Sequence, residues 1–138
     1  MTLILLIVSS SGCIEQTDDN NESNGTDKDN ELIQYNLEEI YLVNHQSMSI
    51  DVFVETRKNN GSSVKKSFNL DSYSTLQNYS KNINISEEGL LSGKNILVII
   101  TAFETQSTNT SDVFLNSNGF KKMEFIFNSD GSIDYRRL

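Results

Sequence analysis

The stretch MSIDVFVE, residues 48–55, has an apolar residue at every second position, with Ser49, Asp51 and Glu55 as the polar residues between them and Phe53 as the one exception. Successive side chains of a β-strand point to opposite faces, so the pattern predicts a strand with one face against a core. The inward set is expected to be Met48, Ile50, Val52 and Val54. The same period dominates the chain from residue 35 onward, where helical periodicity is almost absent, and this excludes a helical fold.

The neighbouring segments extend this pattern on both sides. Residues 40–43 (IYLV) predict a preceding strand that ends in a turn at residues 44–46. Asn60-Gly61 predicts a hairpin with a type I′ turn, and residues 64–70 form its return strand. The run NILVIITAF, residues 95–103, is apolar on both faces and predicts a central strand.

The rest of the chain supplies shorter strands. We expect an edge strand near residues 79–85, a short strand at 113–115, and a final hairpin that turns at Asp130-Gly131. Seven or eight short strands at about ten-residue spacing predict an all-β fold, an antiparallel Ig-like sandwich over residues 35–138.

The order of these elements resembles that of the Ig-like β-sandwich modules on small archaeal (or bacterial) surface lipoproteins. The resemblance rests on a strand ending in Val43-Asn44, an alternating strand, a turn and a final hairpin. A chain with one cysteine and no tryptophan lacks the disulfide and tryptophan of antibody domains, so it is not of that type.

The single cysteine, Cys13, follows a short apolar run at residues 3–8, which is too short to span a bilayer. Ser11, Gly12 and Cys13 resemble the lipobox of secreted lipoproteins, although Ser10 stands where leucine is usual and no Lys or Arg precedes Cys13. The resemblance implies a signal peptide over residues 1–12, cleavage recognition by Ser10, Ser11 and Gly12, and a diacylglycerol on Cys13. A buried structural cysteine is the alternative.

Residues 13–34 carry most of the chain's charge of −8, with seven acids against Lys28 between residues 15 and 31. Such a segment cannot bury enough apolar surface to fold, so a disordered acidic tether is expected. An EF-hand-like calcium loop is the weaker alternative, on Asn20, Glu22, Asn24, Gly25 and Glu31. The acidic balance excludes nucleic acid as a partner.

The sequence contains no assembled catalytic constellation. His45 is the only histidine and falls in a predicted polar turn, where solvation is expected. The paired acids at residues 38–39 and 87–88 are expected to be solvated as well. We therefore predict a non-enzymatic protein with no cofactor and no metal site.

The phenylalanines divide into two groups. Phe68, Phe125 and Phe127 lie at strand phase, with Ile100, and predict core positions. The others fall out of phase or in loops: Phe53, Phe103, Phe114 and Phe120. We expect at least half of them to lie in the core of the other sheet. An exposed recognition patch formed by these rings is the alternative.

Six sequons of the N-x-[ST] type make N-glycosylation plausible for a surface protein. They begin at Asn21, Asn24, Asn60, Asn78, Asn84 and Asn109. The leading interpretation is a lipoprotein held on the extracellular face of the membrane through Cys13, acting as a binding or envelope-structural module for a protein or glycan. The alternative is an accessory subunit that docks on a membrane complex such as a transporter.

Overall fold

Two four-stranded β-sheets make up the described part of the chain. The computed structural model describes residues 33–104 and 110–138, and the compact unit spans Leu32–Leu138. Its strands are β1 (Glu39–Asn44), β2 (Ile50–Arg57), β3 (Ser63–Leu70), β4 (Ser80–Asn84), β5 (Leu97–Glu104), β6 (Thr110–Asn116), β7 (Lys122–Phe127) and β8 (Ile133–Arg137). The predicted all-β sandwich of seven or eight strands is confirmed.

The strands are ordered β4-β1-β7-β8 in one sheet and β3-β2-β5-β6 in the other. All pairs are antiparallel except β1 with β7, which run parallel with Ile40 opposite Met123. The first two strands lie in different sheets, whereas strands A and B of an immunoglobulin constant domain share one sheet. The chain thus shares the sandwich architecture with immunoglobulin domains but has its own strand order.

The core lies between the sheets and follows the predicted alternation except at Met48, which precedes β2 and is only partly buried. In β2 the residues Ile50, Val52 and Val54 are fully buried, and their neighbours on the other face are partly exposed. Residues predicted from strand phase are also buried: Phe68, Ile100, Phe125 and Phe127. β5 is central in its sheet, as predicted from its apolar run.

Two hairpins share one turn geometry. The N–H of Lys58 donates to the carbonyl of Ser62 (2.9 Å), and the N–H of Gly61 donates to the carbonyl of Lys58 (3.0 Å). Residues 128–132 repeat both bonds at 2.9 and 3.0 Å. Gly61 has a φ of +88°, but Asn60 is not among the residues with positive φ. The predicted type I′ turn is therefore wrong, because that turn needs positive φ at both central residues.

The sandwich has two ends. We call the end that holds Ile33 and the start of β1 the proximal end, and the opposite end the distal end. The proximal end holds residues 33–38 and the loops 58–62, 85–96 and 117–121. The distal end holds the loops 45–49, 71–79 and 128–132. Two buried hydroxyls fix the proximal loops, since Thr56 Oγ1 accepts from Leu91 N (2.7 Å) and Ser117 Oγ accepts from Ile96 N (3.0 Å).

Candidate functional site

The outer face of the β3-β2-β5-β6 sheet carries an apolar cluster, which we call the aromatic face: Phe53, Ile99, Phe103 and Phe114. Phe53 alternates with the buried Val52 and Val54, so it points away from the core. Ile99 lies opposite Phe114 in the β5–β6 register and opposite Glu55 in the β2–β5 register. The cluster therefore continues across three adjacent strands.

The rings of the aromatic face pack against each other and against a lysine. Phe53 and Phe103 meet edge to face, with centroids 5.3 Å apart and an interplanar angle of 88°. Lys65 Nζ lies 4.6 Å from the centroid of the Phe53 ring. These contacts hold the rings in a fixed arrangement on an open surface.

Exposure differs sharply within the aromatic face. Phe114, on the edge strand β6, is 65% exposed, whereas Ile99 beside it is only 7% exposed although it points outward. Ile99 lies on the inner strand β5, directly between Phe114 on β6 and Glu55 on β2, and these cross-strand neighbours limit its contact with water. An exposed apolar cluster at the centre of a sheet face is typical of an interaction surface.

Polar pairs surround the cluster. Arg57 Nη2 lies 2.7 Å from Glu55 Oε1, and Asn69 Nδ2 donates to Asp51 Oδ1 at 2.8 Å. Glu55 is the cross-strand neighbour of Ile99 and Asp51 that of Phe103, so this face combines apolar rings with polar and charged groups, as protein–protein interfaces commonly do.

The outer face of the other sheet, which we call the charged face, has the opposite character. Lys122 Nζ lies 3.0 Å from Glu39 Oε2, Arg136 pairs with Glu124, and the Tyr41 hydroxyl donates to Glu39. The Tyr41 hydrogen bond, followed by the contact with Lys122, lowers the pKa of Glu39 from its ordinary value of 4.5. The same carboxylate raises the pKa of Lys122.

The expectation that at least half of the four remaining phenylalanines lie in the core is wrong. Phe53, Phe103 and Phe114 are on the aromatic face, outside the buried cluster between the sheets. Phe120 is at the proximal end, 44% exposed, in an open apolar cleft of about 470 Å³ that also includes Tyr35 and Leu138. The alternating phase of β2 and β5 explains the placement, because Phe53 and Phe103 alternate with buried residues.

The distal loops are organised by one buried side chain, Asn44. Its Nδ2 donates to the carbonyls of Met48 (2.9 Å) and Asp71 (2.8 Å), and its Oδ1 accepts from Gln46 N (2.9 Å). Asn44 is fully buried, and its hydrogen bonds join the end of β1 to the loops 45–49 and 71–79.

Exposed rings lie on these loops. The rings of His45 and Tyr73 are 5.3 Å apart, and Tyr73 lies 5.1 Å from Tyr79. Leu76, in the same loop as Tyr73, is exposed with a φ of +55°, which is unusual for a leucine. His45 is exposed, as expected, and its imidazole ring packs against the ring of Tyr73.

The paired acids do not converge on a common site. Glu38 pairs with Lys121 at 3.0 Å and Glu39 with Lys122, while Glu87 is exposed on a proximal loop. Within residues 33–104 and 110–138, no three His, Cys, Asp or Glu side chains are grouped so that they could hold a metal ion.

The described sequons differ in accessibility. Asn60 and Asn78 are exposed, whereas Asn84 is partly buried and its Oδ1 accepts from Ser86 N and Glu87 N, both at 3.1 Å. The remaining predicted modification and cleavage positions lie outside the described residues: Ser10, Ser11, Gly12, Cys13, Asn21, Asn24 and Asn109. The predicted tether and the alternative calcium loop at residues 20–31 lie outside them as well.

Comparisons with protein families, with characterised proteins and with solved structures found no match to this chain. Among the residues that the structure describes, none belongs to a helix long and apolar enough to cross a membrane.

Sequence reasoning missed two features of the distal end. Asn44 was expected only in a turn, and nothing in the sequence marks it as a buried hub. The polar cleft beside it, which includes Gln46, collects residues that are far apart in the chain. No local signal could have found it.

Proposed function

We propose that the protein is a non-enzymatic, lipid-anchored surface module that binds a protein partner through its aromatic face. The observation that carries the proposal is the exposed Phe114 beside Ile99, continued by the Phe53–Phe103 pair. Aromatic side chains are enriched at the centres of protein interfaces, and charged side chains are depleted there.

The contrast between the two outer faces supports a protein partner. The charged face places lysine, arginine and glutamate on adjacent strands, which suits contact with water. The aromatic face places apolar rings on three adjacent strands of the opposite sheet, with Lys65 over the Phe53 ring and Glu55 opposite Ile99. A partner that covers the rings would remove apolar surface from water.

The anchoring part of the proposal rests on the sequence. The apolar run at residues 3–8 and the small residues Ser11 and Gly12 before Cys13 support cleavage and acylation at the thiol. The acidic segment that follows is about 20 residues long, and a flexible chain of that length reaches roughly 25 Å. Such a tether would let the sandwich stand clear of the membrane, on its extracellular side.

Intact mass tests the anchoring. Protein extracted from membranes is measured beside a Cys13→Ser variant. We expect the wild type to lack its first twelve residues and to carry added lipid mass, and the variant to carry none. A full-length wild type without added mass would contradict the proposal.

Capture from detergent-solubilised membranes tests the binding surface. The bait is the full chain, the test variant is Phe114→Asp, and the matched control is Tyr135→Asp. Tyr135 is 50% exposed and lies on β8 of the other sheet. We expect the same partner with wild type and control, and at least a tenfold weaker signal with Phe114→Asp, since central aromatic residues often contribute about 2 kcal/mol or more. Equal capture by both variants would exclude the aromatic face.

The second candidate function is an accessory subunit of a membrane complex. It is favoured by the position of Phe114 on β6, an edge strand to which a partner strand could be added. The molar ratio of partner to bait in the captured complex distinguishes an accessory subunit from a freestanding binding module. A constant one-to-one partner indicates a subunit, whereas a partner present in variable amounts indicates a freestanding binding module.

A further inference from the structure

A polar cleft of about 520 Å³ opens at the distal end, where strands of both sheets end. Its polar walls come from Gln46, Glu104, Thr110, Ser111 and Asp130, which belong to four separate segments of the chain. The aromatic face lies on the outside of one sheet, whereas this cleft lies between the ends of the two sheets, so the two surfaces are separate.

The cleft is negatively charged and rich in hydrogen-bond acceptors. Glu104 and Asp130 contribute carboxylates, and no Lys, Arg or His lines the cleft within the described ranges. Neither carboxylate takes part in the ion pairs formed among those residues. Ser111 Oγ donates its proton to the Gly131 carbonyl at 2.9 Å, so toward the cleft this hydroxyl can only accept.

Asp130 is held in its ionised form. Its Oδ1 accepts from the Ser132 hydroxyl at 2.6 Å and from the Ser132 N–H at 2.9 Å. These hydrogen bonds, the side-chain bond first, lower the pKa of Asp130 from its ordinary value of 3.8. The hydrogen bonds from Ser132 thus favour the ionised form of Asp130.

Gln46 provides an independent observation at this cleft. Its backbone is fixed, because its N–H donates to Asn44 Oδ1 and its carbonyl accepts from Tyr73 N at 3.0 Å. The residue is only 7% exposed, and its side-chain Oε1 is buried without a hydrogen-bond partner. Buried acceptors are nearly always paired, so this oxygen in the wall of the cleft is available to a hydrogen-bond donor inside the cleft.

We propose that this cleft binds a small organic cation, a primary alkylammonium or guanidinium group, whose N–H donors bond to Glu104, Asp130 and the amide oxygen of Gln46. A cation of this kind offers several donors and no acceptor, which matches walls that mainly accept. The apolar floor formed by Ile50, Ala102 and Phe127 accommodates a short alkyl segment.

A divalent metal fits the cleft less well. Calcium takes six to eight oxygen ligands at about 2.3–2.6 Å. The cleft contains two carboxylates, and the described residues include no group of three acidic, His or Cys side chains that could hold a metal. Its volume also exceeds what a bare ion occupies.

Titration calorimetry and amide NMR on the full chain test the proposal, with butylammonium and methylguanidinium as probes, n-butanol as the neutral probe and CaCl₂ as the rival. The test variants are Glu104→Gln and Asp130→Asn, which keep the shape of each side chain. Glu87→Gln, an exposed acid at the proximal end, is the matched control. Thermal unfolding verifies that each variant is folded.

We expect one saturable site for at least one of the two cations, shifts in the side-chain amide signals of Gln46, and no saturation with butanol. Each test variant should weaken binding at least about tenfold, as expected for loss of a charged hydrogen-bond partner, and the control should not change it. The proposal is overturned if neither cation saturates below about 100 mM. It is also overturned if butanol binds as well, if only calcium binds, or if the variants bind like the wild type.

Discussion

The two outer faces of the sandwich follow the same side-chain alternation and have opposite chemistry. On the charged face, Lys122 pairs with Glu39 and Arg136 pairs with Glu124 across neighbouring strands. On the aromatic face, Phe53 and Ile99 lie on the two inner strands and Phe114 lies beside Ile99 on the edge strand. One period-2 pattern therefore produces both surfaces, and only the identity of the outward residues separates them.

This difference shows where the molecule tolerates water. Cross-strand ion pairs contribute little stability, but they keep a sheet face soluble and discourage association. Phenylalanine rings in contact with solvent contribute little to folding where they remain exposed, and their burial requires another molecule. The stability of the fold comes from the core between the sheets, and association is expected on one face only.

The largest loss of stability is expected at neither outer face but at Asn44, which is buried at the distal end of β1. Asn44→Ala leaves the carbonyls of Met48 and Asp71 and the N–H of Gln46 without their buried partner. We expect a loss of about 3 kcal/mol in the free energy of unfolding, measured by urea denaturation. Asn82→Ala, an exposed control on β4, should cost less than about 0.5 kcal/mol. A similar loss of unfolding free energy for both variants would show that the hydrogen bonds of Asn44 do not stabilise the distal loops.

The second prediction compares matched isoleucines on the two faces. Ile99→Ala should cost about 2 kcal/mol in unfolding free energy, because Ile99 is almost completely buried. Ile126→Ala, at a partly exposed outward position on β7, should cost less than about 1 kcal/mol. Equal costs in denaturant unfolding would show that the aromatic face is not a packed layer.

The third prediction separates stability from association at Phe114. Since its side chain is mostly exposed but lies opposite the buried Ile99, Phe114→Ser should lower the free energy of unfolding by less than about 1 kcal/mol, which is less than the loss with Ile99→Ala. The same variant should lower the fluorescence of a dye that binds apolar surfaces, while Tyr135→Ser should lower it less. A large loss of stability with unchanged dye binding would place Phe114 in the fold rather than in an interface.

The smallest expected effect concerns the charged face and pH. A folded-state pKa below 4.5 means that ionised Glu39 favours the native state above that pH. The contribution is lost as the pH falls through the lowered pKa. We expect the melting temperature of Glu39→Gln to depend less on pH than that of the wild type between about pH 5 and pH 2. Tyr41→Phe should show part of the same change, because the Tyr41 hydroxyl is the main cause of the shift. An unchanged profile would contradict the assignment.

Much of the fold could be predicted because the signals were local. Alternation placed the strands, the Gly61 and Gly131 turns placed two hairpins, and the doubly apolar residues 95–103 predicted a central strand. The parallel pairing of β1 with β7 could not be predicted, since side chains alternate with the same period in parallel and antiparallel strands. The conformation of Asn60 was missed because an Asn-Gly pair fits two kinds of hairpin loop. In the two-residue type I′ turn both residues have positive φ, whereas in a longer loop only the glycine does.

The candidate surfaces were predicted only in part. The phase of β2 already implied that Phe53 points away from Val52 and Val54, but whether another element covers it depends on tertiary structure. The distal cleft depends even more on topology, because Gln46, Glu104 and Asp130 meet only when both sheets are assembled. Residue identity predicted which side chains could take part, and topology determined which of them share a surface.

Site-specific photo-crosslinking on the membrane-attached protein tests the central claim most directly. A photoreactive amino acid is placed at position 114, in the aromatic face, or at position 41, in the charged face, and irradiated cells are analysed by mass. We predict one discrete protein adduct from position 114 and none from position 41. A discrete adduct from position 41 alone, or equal adducts from both positions, would contradict the account.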